Sequence, residues 1–102
     1  MSRIITQSKL SGETDTVVFD FASRLAAGET ISTKTVTASV YSGTDASPSS
    51  IISGSATHSG LQVSQKITGG VVGVIYQLLC TITTSASETL QLTAFLAVVP
   101  DL

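Results

Sequence analysis

The sequence has no tryptophan, one cysteine, one histidine and only five aromatic residues in 102. A lone Cys80 excludes an internal disulfide. With His58 as the only imidazole, a structural zinc site, which needs several Cys or His ligands, is excluded too. Charge is equally scarce. Charged residues make up 12%, where a soluble domain carries about a quarter. The five cations, Arg3, Lys9, Arg24, Lys34 and Lys66, are scattered along the chain. Nucleic-acid binding needs them clustered to neutralise phosphates, so that class is not expected. The longest nearly apolar run, from Val71 to Ile82, falls short of the about 20 residues a membrane helix requires. The opening residues MSRIITQSKL lack the apolar stretch of a secretory signal, so the expectation is a chain made and used without export.

The chain does have serine and threonine, about three residues in ten, and many valines. With 42% hydrophobic residues and a net charge of −2, the composition is that of a folded domain rather than a disordered one. Its length fits one domain. β-Branched residues favour strands. Alternation appears at 16–21 (TVVFDF), with Val17, Phe19 and Phe21 on one face. It returns at 36–40, with Val36, Ala38 and Val40 inward and a bend expected between Thr33 and Val36, and at 61–67, with Leu61, Val63 and Ile67 inward. The clearest pair of runs comes last. Val74, Tyr76, Leu78, Cys80 and Ile82 share a face, as do Leu90, Leu92, Ala94, Leu96 and Val98, and the polar link TSASE makes the two a hairpin. Ile75 and Leu79 leave the first of these strands apolar on both faces, which implies a central strand or one covered by a partner. Gly43, Asp45 and Pro48 mark a loop at 42–50, followed by a short strand at Ile51 and Ile52. Six to eight short strands without a long helix predict an antiparallel β-sandwich. Residues 1–14 read as an N-terminal arm or loosely attached strand, and 15–102 as the sandwich domain.

No constellation for catalysis stands out. GGVVG at 69–73 leads into a strand, not a helix, and lacks the Lys-Ser or Lys-Thr of a phosphate loop, so it reads as a tight turn. Cys80 falls at an inward strand position and His58 in a turn-like segment, which makes a nucleophile pair a formal possibility only. The carboxylates Glu13, Asp15, Asp20, Glu29, Asp45, Glu88 and Asp101 sit in polar or turn contexts, without the facing pair of a glycosidase or the spacing of a calcium loop. No cofactor, metal or catalytic residue is expected. Threonine-rich outward faces suit lateral packing or strand addition instead. Thr35, Thr37, Gln91 and Thr93 are outward by parity and are the candidate interface residues, together with Ile4 and Ile5 on an arm able to reach a neighbouring subunit.

The run ITGGVVGVIY, the later ITTS, and VFDF at 18–21 with Leu25 and GETI at 28–31 together resemble small immunoglobulin-like bacteriophage tail proteins of the fibre–tail adaptor type. The resemblance spans about residues 18–99. It implies an Ig-like sandwich and a non-enzymatic virion protein assembled in the host cytoplasm. The implied role is a tail adaptor linking tail tube or hub to fibres. The implied partners are tail, neck or fibre proteins, and copies of the chain in a ring or array. Head decoration or head–tail completion is the alternative place in the particle. A carbohydrate-binding module is a further alternative, disfavoured by the missing tryptophan and by Tyr41 and Tyr76 at turn or core positions.

Overall fold

The structure, a computed structural model, describes residues 4–100, with side chains from residue 8 onward. Seven strands run in the order β1 (Ile4–Leu10), β2 (Thr14–Asp20), β3 (Ile31–Ser42), β4 (Ile52–Ser59), β5 (Gln62–Thr68), β6 (Ile75–Thr84) and β7 (Thr89–Val99). A 3-10 turn, Pro48–Ile51, precedes β4. The strands form two sheets, β1-β7-β6-β3 and β2-β5-β4. The molecule measures 45 × 24 × 23 Å, its long axis set by the strands and its thickness by two packed sheets.

The alternating sequence accounts for the core. Val17, Phe19, Phe21, Val63, Ile67, Tyr76, Leu78, Cys80, Ile82 and Leu96 are all fully buried between the sheets, as their parity requires. β6 lies between β7 and β3, so the strand with two apolar faces is indeed central. β6 and β7 pair antiparallel in unbroken register from Ile75↔Ala97 to Thr83↔Thr89. Leu25 packs partly buried on the core, from a turn closed by the Arg24 and Leu25 amides on Phe21 O at 2.8 and 3.1 Å.

Three details depart from the sequence reading. The irregularities of β3 fall at Ile31/Thr33 and Val40/Ser42, not between Thr33 and Val36, so its middle stays regular against β6. The short strand at Ile51 and Ile52 continues to Ser59, because the register slips between Ser53 and Thr57 and absorbs Gly54 without ending the ladder. Gln65 makes this possible. It is buried at an inward position, and its Nε2 donates to Ser53 O, Gly54 O and Lys66 O at 3.2, 3.2 and 3.0 Å. A slipped ladder leaves carbonyls without strand partners, and a buried carbonyl must find a donor.

Of the two alternatives for the N-terminal segment, arm or attached strand, Ile4–Leu10 forms the strand. Ile4–Leu10 pairs parallel with β7, from Ile4↔Thr93 to Leu10↔Val99, the one parallel pairing among the described strands. Without β1, the eleven-residue β7 would present an open edge of backbone donors and acceptors. Lys9 fastens this strand. Its side chain is 2% exposed, and its Nζ donates to Leu10 O and Gly69 O, each at 2.6 Å. Burial is the main influence on the ammonium and lowers its pKa, while Glu13 and Asp15 act in the opposite direction.

Candidate interaction surface

The register places specific residues on the outer face of the four-stranded sheet. β3 contributes Thr33, Thr35, Thr37, Ser39 and Tyr41, and β6 contributes Ile75, Gln77, Leu79, Thr81 and Thr83. β7 adds Thr89, Gln91, Thr93, Phe95, Ala97 and Val99, and β1 adds Ser8 and Leu10. None of these residues is charged. The outer face of the other sheet differs, because it carries Asp20 and Lys66.

Two chemistries share the uncharged face. One half is a threonine lattice. Thr35 lies opposite Thr81, and Thr81 opposite Gln91. Gln91 Nε2 donates to Thr81 Oγ1 at 3.1 Å, and the hydroxyls of Thr33 and Thr83 are 2.5 Å apart. Hydroxyls both donate and accept, so this half can meet either kind of polar group. The other half is mostly apolar, with Ser39 and Gln77 among its side chains. The rings of Tyr41 and Phe95 meet edge to face with centroids 4.7 Å apart, above the central strand that separates β3 from β7. Ile75, Leu79, Ala97 and Val99 are half-buried on the same face. Tyr41 is 63% exposed, not in a turn or in the core as the sequence suggests.

Of the six candidate interface residues, the fold brings four onto this face. Thr37, Leu79 and Thr93 line up across β3, β6 and β7, and Thr35, Thr81 and Gln91 form the adjacent row. Thr35, Thr37 and Gln91 are exposed and Thr93 is half-buried. Ile4 is in backbone register with Thr93 and Ile5 with Ala94, while their side chains lie outside the described residues. Parity puts Thr35, Thr37, Gln91 and Thr93 on the outer face, where the register has them. The sequence reading does not place Tyr41 and Phe95 on this face, although Phe95 continues the outward series Thr89, Gln91, Thr93.

The residues weighed for catalysis are placed otherwise. Cys80 is fully buried in β6, and burial pushes its thiol up to about 12, so thiolate is not formed near neutral pH. His58 is exposed in β4 of the opposite sheet. Four of the carboxylates close turns. Glu13 Oε1 accepts the Leu10 amide at 2.8 Å, Asp20 Oδ1 that of Ala22 at 2.9 Å, and Glu29 Oε1 that of Ala26 at 2.7 Å. The Ala26 amide is the main reason Glu29 is held below its ordinary range. Asp45 accepts from Ser47 N at 2.9 Å and from Tyr76 Oη at 2.6 Å. Among the described residues, no group of three or more His, Cys, Asp or Glu is arranged to hold a metal.

Residues 9–97 match the family model of the podophage GP4 fiber-tail adaptor protein gp77. The chain belongs to this family. No match is found among the curated proteins. Membership makes the chain a phage virion protein with a structural, adaptor role, and an adaptor works through its surfaces. The adaptor family's matched segment contains β2 to β6 whole and most of β7, but only the last two residues of β1. No helix among the described residues is long and apolar enough to cross a membrane.

Proposed function

We propose that the chain is a non-enzymatic subunit that joins the tail tube or hub to the fibres, docking through the outer face of its four-stranded sheet. The observation that carries this is that the described residues of that face carry no charge, together with the Tyr41–Phe95 pair. Burying a charge without a partner is expensive, so an uncharged face loses little on desolvation. The size is sufficient. Four strands about 4.8 Å apart and about 33 Å long give a face of about 600 Å², or about 1,200 Å² buried in total between two partners, the lower bound of a stable interface.

The strand orders β2-β5-β4 and β3-β6-β7 support the Ig-like reading, since they follow the B-E-D and C-F-G sheets of immunoglobulin domains. β1 adds to the second of these sheets beyond β7, and we treat residues 1–14 as an extension on the 15–102 sandwich. A neutral, hydroxyl-rich face also suits contacts between copies, which meet no like-charge repulsion in a ring. The scarcity of cations on it argues against nucleic acid as partner. Assembly in the host cytoplasm completes the proposal.

Reconstitution tests it. Virions assembled without this chain are mixed with purified protein, and fibre attachment is scored. The wild type restores fibres. A Thr37→Lys, Thr93→Lys variant, with two charges at the centre of the face, keeps its fold and fails to restore them. Full restoration by that variant contradicts the assignment of this face.

A further inference from the structure

An adaptor needs a second surface that does not overlap the first, and the β5–β6 turn supplies an unusual one. Val71 and Val72 are 45% and 47% exposed, among the few large apolar side chains open to solvent. They sit on a turn held from several sides. The Val71 amide donates to Tyr76 Oη at 2.9 Å, and that hydroxyl donates to Asp45 Oδ2. Gly73 N donates to Val98 O at 2.9 Å, Val74 N to Val71 O at 3.1 Å and Val98 N to Val74 O at 3.1 Å. Lys9 Nζ fixes Gly69 O. Gly70 lies so close to β7 that a Cβ there would stand 2.7 Å from Val98 Cγ2. A buried lysine and a buried tyrosine thus hold a turn that displays two branched aliphatic side chains to water.

We propose that this turn is a preformed knob that inserts into an apolar slot, rimmed by Lys or Arg, on a second virion protein; this rests on the adaptor function proposed above. Rigidity is the first reason. A side chain held in its bound position loses little entropy on docking. The chemistry on offer is the second. Three of the turn's amides and three of its carbonyls are spent internally, so strand addition or polar recognition of a sugar has little to engage. The third is charge. Asp45 is joined to the turn through Tyr76, and Glu13 and Asp15 act electrostatically on the lysine that holds Gly69. Among the described groups that hold the turn or act on its lysine, the carboxylates of Asp45 and Glu13 outnumber the one ammonium of Lys9, an excess that a basic rim complements. A lipid surface is a poor fit, because two valines bury little area and the local charge repels anionic headgroups.

Virions assembled without this chain, with purified fibres, provide the probe. The readouts are the amount of chain bound and the fibres recruited. A Val71→Thr, Val72→Thr variant keeps the side-chain shape and, at exposed positions, the thermal midpoint. It is expected to lower binding or recruitment by about tenfold or more. Glu13→Gln, which retains an acceptor for the Leu10 amide, weakens the same step at about 0.05 M salt and matches wild type at about 0.5 M. If wild type docks and the valine variant equals it in both readouts, the knob is refuted and the adaptor function stands. If wild type itself does not dock, the adaptor function fails and the knob with it. Sedimentation of wild type, but not the valine variant, with phosphatidylcholine vesicles would make lipid the occupant and overturn the proposal.

Discussion

Tyr76 Oη stands 2.6 Å from Asp45 Oδ2, joining the middle of the sandwich to the loop between β3 and β4. The same hydroxyl accepts the Val71 amide, so one buried oxygen ties two loops to the central strand. Tyr76→Phe is expected to cost about 1–3 kcal/mol, because it removes two hydrogen bonds and strands a partly buried amide. Hydrogen exchange at Val71 should accelerate while β6 stays protected. Unchanged protection there would show that the turn holds itself. The contact also has an acid signature. The Tyr76 hydroxyl, then the Ser47 amide, lower the Asp45 pKa from its ordinary 3.8. A lowered carboxylate stabilises above its unfolded pKa and loses that contribution as pH falls through the folded one, so Tyr76→Phe should flatten the acid limb below about pH 4.

Cys80 predicts an alkaline effect of opposite sense. Its thiol is held protonated up to about 12 in the fold, against an ordinary 9.0. Above pH 9 the unfolded thiol ionises first, the unfolded state binds fewer protons, and stability falls by at most about 1.4 kcal/mol per pH unit. Burial raises Tyr76 and adds the same sign above its ordinary 10.0, while Lys9, lowered by burial, has the opposite sign below 10.5. Cys80→Ala removes the first contribution alone. Denaturant melts at pH 8, 9 and 10 should show a shallower decline in the variant, and parallel lines would refute the assignment.

Gly70 and Gly12 make a matched pair. Gly70 has φ of +98° and no room for a Cβ beside Val98, so Gly70→Ala should cost about 1–3 kcal/mol. Gly12 has nothing within 4 Å and no positive φ, so Gly12→Ala should change stability by less than about 1 kcal/mol. Equal midpoints for the two variants would contradict the tight approach of the turn to β7.

Lys9→Ala tests how β1 is held. Losing the bonds to Leu10 O and Gly69 O should speed amide exchange in Ile4–Leu10 by about tenfold or more, with β3 and β6 unaffected. Uniform acceleration across the sandwich would mean that β1 is part of one cooperative core.

Which parts were legible in the sequence follows from which forces set them. The inward series of β5, β6 and β7 is local, because a period of two survives in any sheet that buries one face, and Leu78, Cys80 and Leu92 are where it puts them. Thr35, Thr37, Gln91 and Thr93 are likewise the other half of that alternation. Lys9, Gln65 and Asp45 were not legible as buried or bonded groups, since each answers a backbone or side-chain atom brought near only by the finished topology. Tyr41 belongs with them. Its ring meets Phe95, fifty-four residues later, across a strand lying between theirs. The parallel β1–β7 pairing joins the two ends of the chain and leaves no periodic trace.

The most direct measurement is a reconstruction of the phage particle by electron cryomicroscopy at side-chain resolution. The account predicts this sandwich between tail and fibre, with Thr37, Leu79, Phe95 and Thr93 covered by another virion protein or another copy. A particle in which that face of the four-stranded sheet is open to solvent, or in which the chain is absent from the fibre attachment site, would contradict it.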